Sequence, residues 1–352
     1  MPSLLAINKS DRAINDEMQD FLNRYPPLPR IDVRKYDFDR VCTDPEVLGI
    51  YALRSEWFAA LIESNPSPPA ERLHESAERS KASWLHRFVD DTWLPQESTH
   101  SEPFQMHLLH SGFAKNWFTK DWEDYVRQQE FTIGKDYTAM MAVTYGWLQE
   151  LLTLRFYQAL FSHIRNTNVV VNEGRYKDPV LTQILIDIGK QENFHRHFYL
   201  TAMRTTLKHR PDLKEEFIEA LTKFDMPHIV MLPDCERYSA GKFAKHIGFD
   251  TKRTASDIAS VVLELGGYEG MGRAAMLYSA NHMPSPKDNV YAPFALAMPM
   301  AAKVPLLPLV AGIALKAYLP FIKNPDMSKE PFLYRLFDWF GKLDASHSKP
   351  QN

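Results

Sequence analysis

The sequence predicts an all-α protein organised around a four-helix bundle. Helical periodicity dominates the chain, and the alternation of apolar and polar residues that is typical of strands is almost absent. Two copies of Gln-Glu-x-x-His, QESTH at 96–100 and QENFH at 191–195, lie within helical patterns. Glutamates also occupy core-facing positions on two further predicted helices. These observations indicate helices that share a polar centre, with additional helices flanking them.

Length and composition exclude several classes of protein. The 352 residues are 45% hydrophobic, enough to bury a large core, and the net charge of -3 gives no overall basic excess for nucleic acid. Cys42 and Cys235 are too few for a disulfide framework or a Cys-ligated zinc site. Without a long apolar run at the N-terminus, export is not expected. We expect a cytoplasmic protein that binds no nucleic acid.

Three regions are predicted along the chain. Residues 1–44 form an irregular arm, because prolines and charges cluster in RYPPLPRIDVRKYDFDR. Residues 45–265 form the helical domain, and 266–352 an apolar, helical extension packed on or beside it. Lysines and five prolines interrupt the apolar segment 291–323, so we expect it to be buried or covered by a partner. Peripheral membrane contact is the less favoured alternative.

The helices of the bundle follow from start and stop signals. The first begins near Asp44, a capping residue, and ends at the NPSPP run. The second covers 70–93 and continues to about residue 111. The remaining predicted helices are 117–129, 136–165 and 179–209, the last of which ends before Pro211.

Apolar stripes place the motif residues inside the bundle. On the last helix Ile184, Ile188, Glu192, His195 and Tyr199 follow steps of four, four, three and four, so Glu192 and His195 face the core. The same arrangement surrounds Glu97 and His100. Single glutamates, Glu56 and Glu150, lie on the stripes of two other helices. Because a Glu is rarely buried without a partner, four such burials predict a shared cation.

The six side chains match a known type of metal site. In chain order they form a lone Glu, a Glu-x-x-His, a second lone Glu and a second Glu-x-x-His. This order is the di-iron carboxylate pattern of ferritin-like bundles. Carboxylates with one imidazole per metal suit iron or manganese better than zinc. Taken singly, Glu56 resembles a solvated helix residue, Glu150 can pair with Arg155, and Glu97 or Glu192 can hydrogen bond a His in the core. We interpret Glu71, His74 and His107 as residues outside the pattern.

At these positions the chain resembles the soluble acyl-acyl carrier protein desaturases, the plant stearoyl type and its actinobacterial relatives. The family's W-x-x-E-E-x-x-H is similar to WLPQESTH at 93–100, its F-Q-E-x-x-T to LQELLT at 148–153, and its D-E-x-x-H to QENFH at 191–195. The segment KFDMPHIVMLP at 223–233 is similar to one that follows the last ligand helix in that family. The resemblance covers roughly residues 45–235.

The resemblance implies a role for each matching residue. Glu56 and His100 bind one iron, Glu150 and His195 bind the other, and Glu97 and Glu192 bridge them. Thr153, one turn after Glu150, is the catalytic residue of the set, beside the oxygen-binding face. The chain departs from the plant pattern at Gln96 and Gln191, where the family has acids, and Pro95 directly precedes the first motif. The Gln at 191 puts the route of electron delivery in doubt.

The implied reaction is the oxygen-dependent introduction of a double bond into a fatty acyl chain carried on acyl carrier protein. It requires two Fe ions (Mn being possible), an external donor such as ferredoxin and, by resemblance, a homodimer. We expect the acyl chain beside Met140, Trp147, Phe156 and Tyr157, and the acidic carrier on the basic segment 204–214. Alternatives are another di-iron oxidase or oxygenase, such as a hydroxylase or N-oxygenase, and a non-catalytic metal-binding protein.

Overall fold

The computed structural model describes residues 4–44, 48–113, 134–166, 178–224, 247–281, 308–309 and 311–313. Within these ranges the regular structure is helical and no strand occurs, which confirms the all-α prediction. The expected helix at 117–129, Cys235 and most of the segments 223–233 and 291–323 lie outside the described residues. The division of the chain into three regions at residues 44 and 265 remains a prediction.

The helices are numbered in chain order. They are α1 (Leu4–Arg24), α2 (Ile50–Ile62), α3 (Ser67–Ser80), α4 (Ser83–Phe88), α5 (Leu94–Glu97), α6 (Ser101–His110), α7 (Ala139–Asn166), α8 (Pro179–His209), α9 (Lys214–Thr222) and α10 (Thr251–Asn281).

A ferritin-like bundle forms the centre of the fold. The long helices α7 and α8 pack along each other, α2 packs on α6, and contacts of α6 with α8 and of α2 with α7 join the two pairs. Helix α1 lies against α8 and α4, whereas α9 and α10 cover α7. Two strong signals delimit α8: the side chain of Asp178 accepts from the N–H groups of Val180 and Leu181, and Pro211 follows its end.

The second ligand-bearing segment is broken where the sequence predicts one helix. Lys81, with a φ of 53°, ends α3 in the left-handed region. Residues Val89–Trp93 form a π-helical turn, α5 follows, and the backbone turns again before α6. Pro95 lacks an N–H and so cannot continue the ladder of backbone hydrogen bonds. The motif at 97–100 therefore lies at the end of a short helix and in the turn after it.

The prediction of an irregular arm was wrong for residues 4–24, which form α1. Ile14, Met18, Phe21 and Leu22 are spaced by four, three and one, and all four are buried. This apolar face offsets the cost of ordering a polar helix. From Tyr25 to Asp44 the chain is irregular except for the short 3-10 helices Val33–Lys35 and Phe38–Arg40.

A polar layer lies between two apolar clusters of the core. One cluster includes Leu148 of α7 and Phe198 of α8, and the other includes Tyr157 of α7 and Ile188 of α8. Glu150 of α7 and Glu192 and His195 of α8 occupy the turns between these residues. The apolar packing above and below keeps water away from this layer and fixes the helices that carry it.

A separate buried ionic group ties α2 and α6 to the start of α8. The imidazole of His107 lies between two carboxylates, with Nδ1 2.6 Å from Glu56 Oε1 and Nε2 2.9 Å from Asp178 Oδ2. Although burial disfavours a charged imidazole, these carboxylates raise the pKa of His107 to about 10. His107 is therefore a cation at neutral pH that compensates two buried acids.

The C-terminal part approaches α10 very closely at one point. A Cβ atom placed on Gly272 would lie 1.8 Å from the carbonyl oxygen of Pro308, so only glycine permits this contact. A few residues of the apolar segment thus pack against α10. None of the described helices is long and apolar enough to cross a membrane.

We predict that His107→Leu lowers the free energy of unfolding by about 3–5 kcal/mol, because it leaves two buried carboxylates without their cation. Denaturant titration of the metal-free protein measures the change. His110→Leu, one turn later on the exposed side of α6, serves as the control and should change stability by less than about 0.5 kcal/mol. Equal stabilities for the two variants would contradict the assignment of His107 as a buried cation.

Candidate metal centre

Six buried side chains converge between α2, α5, α7 and α8. Their ligand atoms form two groups, and within each group the atoms lie within 4.8 Å of one another. Glu97 and Glu192 belong to both groups, as expected of bridging carboxylates. The first group is Glu63, Glu97, His100 and Glu192, and the second is Glu97, Glu150, Glu192 and His195.

Five of the six predicted ligands are brought together, and the sixth is replaced. Glu56 is fully buried but bonds His107, and it belongs to neither group. The structure does not place Glu56 with the other five predicted ligands; Glu63, two helical turns later at the C-cap of α2, lies with them instead. Residues seven apart lie on one helix face, so the apolar stripe did not distinguish Glu63 from Glu56.

Buried polar atoms without hydrogen-bond partners indicate that the cluster can bind a cation. Oxygen Oε1 of Glu97 and of Glu192 and nitrogen Nδ1 of His100 and of His195 are buried without a hydrogen-bond partner. They face one another closely, with 3.2 Å between His100 Nδ1 and Glu192 Oε1 and 3.0 Å between His195 Nδ1 and Glu97 Oε1. Buried polar atoms are seldom left unpaired, and metal coordination would satisfy all four.

The pKa values of the clustered glutamates are shifted because several buried acids lie close together. Burial raises the pKa of Glu63 to about 7, and burial together with the neighbouring Glu150 and Glu97 raises that of Glu192 well above its ordinary value. Burial also opposes charge on Glu97, but the charge of His100 outweighs it and lowers the pKa. Without a cation, protons on this cluster must balance the negative charge.

Aromatic donors hold the two outer carboxylates. The indole Nε1 of Trp93 donates to Glu150 Oε1 over 2.9 Å, and the hydroxyl of Tyr157 donates to Glu63. Each bond fixes one carboxylate oxygen and leaves the other free to face the centre. Trp93 is the first residue of the WLPQESTH motif, and its hydrogen bond links that motif to α7.

Two cavities meet at this cluster. One is lined by the four carboxylates Glu63, Glu97, Glu150 and Glu192, together with Thr153 and neighbouring residues. Thr153 thus faces the same space as the ligands. The second cavity is mainly apolar and shares Trp93 and Glu150 with the first; its other lining residues include Leu73, Tyr137, Ala142, Tyr145, Gly146 and Tyr199.

The expected walls of a substrate tunnel are placed differently. Met140, Trp147 and Tyr157 are buried in the core, and none of them, nor Phe156, lines the apolar cavity. On α7 the cavity instead meets Ala142, Tyr145 and Gly146, which lie on the neighbouring stripe of the helix. At Gly146 the ring of Tyr199 packs against the backbone, and a Cβ atom there would lie 2.7 Å from it.

A comparison with protein families agrees with this geometry. A family model described as fatty acid desaturase matches residues 69–265, more than half of the chain. The chain belongs to the fatty acid desaturase family. The matched region contains five of the six clustered side chains and leaves out Glu63. No curated protein and no solved structure gave a significant match.

The cluster fits the metals of such desaturases. Four carboxylates and two imidazoles form two overlapping groups, as a pair of iron ions bridged by carboxylates requires. Each His offers a single unpaired Nδ1, and each bridging Glu offers an unpaired oxygen. Hard oxygen donors in excess over nitrogen favour iron or manganese over zinc.

We predict that Glu63→Gln removes metal and that Glu56→Gln does not, because only Glu63 faces the cluster. Purified proteins offered Fe(II) under anaerobic conditions should hold about two irons per chain in the wild type and in Glu56→Gln. Glu63→Gln should hold fewer than the wild type. Elemental analysis measures the content, and the reverse order of the two variants would restore Glu56 as the ligand.

We also predict that metal affinity falls as the pH is lowered through about 7. Glu63, with a pKa of about 7, gains a proton there, and a metal must displace it. Titration with Co(II) at pH 6, 7 and 8, followed by visible absorption, should show affinity falling by at least about tenfold per pH unit below 7, since the raised pKa of Glu192 adds a further proton for the metal to displace. An affinity that is constant over this range would exclude a proton on Glu63.

Proposed function

We propose that the protein is an oxygen-dependent di-iron desaturase that introduces a double bond into a fatty acyl chain carried on acyl carrier protein. The observation that carries the proposal is a buried cluster of carboxylates and imidazoles next to an apolar cavity, which shares Trp93 and Glu150 with the cavity that the carboxylates line. Removal of hydrogen from an alkyl chain requires metal ligands beside apolar side chains of this kind. Membership of the desaturase family supports the reaction type.

Bound iron would supply an oxidant strong enough for unactivated C–H bonds, which protein acids and bases cannot attack. The chain's own residues do the remaining work. Glu63, Glu97, Glu150, Glu192, His100 and His195 would hold the ions. Apolar side chains such as Leu73, Ala142 and Tyr199 exclude water from the acyl chain and orient it past Trp93. The hydroxyl of Thr153, on the carboxylate-lined cavity, is placed to hold or pass a proton.

An acyl carrier is proposed because an acyl chain needs a polar handle outside the apolar cavity. The basic segment 204–214 is the expected docking surface. In the structure Arg204 pairs with Glu264, Lys208 with Glu17 and Arg210 with Asp11. The pairs of Arg204 and Lys208 are exposed and individually weak, whereas Arg210 is partly buried, and an acidic carrier would have to compete with all three. The pairing leaves the segment less basic than its sequence indicates.

A ferredoxin-like electron donor and a homodimer complete the proposal. Both come from the resemblance to acyl carrier protein desaturases. Another di-iron oxidase would share the metal cluster, and the apolar cavity favours a desaturase over an enzyme that acts on a polar substrate. The carrier and the donor are therefore the parts of the proposal that an assay must establish.

The test is product formation by the iron-loaded protein with stearoyl-acyl carrier protein, reduced ferredoxin and oxygen. We expect a mono-unsaturated acyl product by mass spectrometry, and loss of that product in Glu97→Ala, which removes a bridging carboxylate. Glu102→Ala, an exposed glutamate on α6, is the matched control and should retain activity.

Oxygenated products in place of the alkene would indicate a hydroxylase. Activity on free fatty acid or the coenzyme A ester, with none on the carrier-bound chain, would overturn the choice of carrier. Absence of any oxidised product from iron-loaded protein, across these substrates, would overturn the desaturase proposal.

A further inference from the structure

The two Glu-x-x-His motifs exchange hydrogen bonds across the bundle. Gln96, beside Glu97, has its Oε1 2.7 Å from Nε2 of His195, and Gln191, beside Glu192, has its Oε1 2.7 Å from Nε2 of His100. Each glutamine therefore contacts the imidazole of the other motif. Gln96 is 1% exposed and Gln191 3%, so neither has water as a substitute partner.

The far side of each glutamine is fixed by the N-terminal arm. Nε2 of Gln96 donates to the carbonyl oxygen of Leu28 over 2.6 Å, and Nε2 of Gln191 donates to that of Pro29 over 2.6 Å. The N–H of Ile31 adds a third bond, to the hydroxyl of Thr99. The irregular stretch after α1 thus lies across both motifs and contacts them through its backbone.

These contacts determine which atom of each glutamine meets the imidazole. A backbone carbonyl only accepts, so the amide nitrogen must face the arm and Oε1 must face the His. An oxygen beside Nε2 requires that Nε2 carry the hydrogen. In the neutral imidazole that a metal binds, the lone pair is then on Nδ1, which is the unpaired nitrogen that faces the carboxylates. The arm, through the glutamines, selects the tautomer that a metal needs.

We propose that Gln96 and Gln191 are positioning residues that make the N-terminal arm at 28–31 part of the metal centre. The inference rests on the proposed di-iron site. A ligating His commonly donates its other N–H to a carboxylate, a carbonyl or water. Here the acceptor is a neutral amide, which also donates to the backbone of the arm at Leu28 or Pro29. Metal binding and arm docking are therefore linked, and each stabilises the other.

The test measures both sides of this linkage with Co(II) as the probe. Binding is followed by visible absorption, and arm docking by the rate of tryptic cleavage after Arg30, which is exposed. In the full-length wild type we expect Co(II) to slow this cleavage. Gln96→Leu and Gln191→Leu should each weaken Co(II) binding by about 10–100-fold and reduce its protective effect. Gln105→Leu, whose amide bonds Ser101 on α6, is the matched control and should behave as the wild type.

A second substitution separates orientation of the His from general damage to the fold. Gln96→Glu keeps an acceptor for His195 but loses the donor to Leu28. We expect Co(II) affinity within about tenfold of the wild type, with faster cleavage after Arg30. The inference would be overturned, with the metal site left intact, if both leucine variants bound Co(II) as tightly as the wild type. It would also be overturned if Co(II) did not change the rate of cleavage in the wild type. A wild type that binds no Co(II) or Fe(II) would overturn the inference and the proposed function together.

Discussion

The structure depends on the burial of several carboxylates at one level of a helix bundle. Desolvating a charged carboxylate costs several kcal/mol, and four of them meet here between two apolar clusters. Two imidazoles compensate part of this charge. The rest requires protons or metal ions, so the layer between the two apolar clusters attracts cations. The concentration of buried carboxylates that makes the site costly in desolvation free energy also makes it selective for ions of high charge.

Most of this site could be predicted because burial and periodicity agree. Glu192 and His195 interrupt an apolar stripe on a long regular helix, where the direction of a side chain follows from its position in the sequence. Glu150 was found in the same way. Glu63 was missed because Glu56, seven residues earlier, points in the same direction from the helix. Which of the two reaches the cluster depends on how far α2 is shifted along its axis relative to the neighbouring helices. Periodicity gives the angle of a residue about a helix axis and not its height in the bundle.

The remaining differences have similar causes. Helix α1 was missed because prolines and charges of the following stretch dominated the prediction, although Ile14, Met18, Phe21 and Leu22 carry a helical spacing. His107 was set aside because its partners come from α2 and from the residue before α8, contacts that no local pattern contains. The cross-bonds of Gln96 and Gln191 also join distant segments. In the sequence these glutamines stood out only because the resembling family has acids at both positions. Their contacts could not be predicted without knowing where the arm at 28–31 lies.

The π-helical turn at Val89–Trp93 has a consequence for how this segment varies. A π turn accommodates one residue more than the α-helical turn it replaces, and such turns are often found at functional sites. Because the turn absorbs this residue, its loss would restore ordinary winding and leave Glu97 and His100 with nearly the same direction. Loss of a residue after the turn, between Trp93 and Glu97, would instead rotate both ligands by about 100° about the axis, away from α7 and α8. The spacing from Trp93 to Glu97 is therefore constrained by register, whereas the turn itself can take up a change of one residue in length.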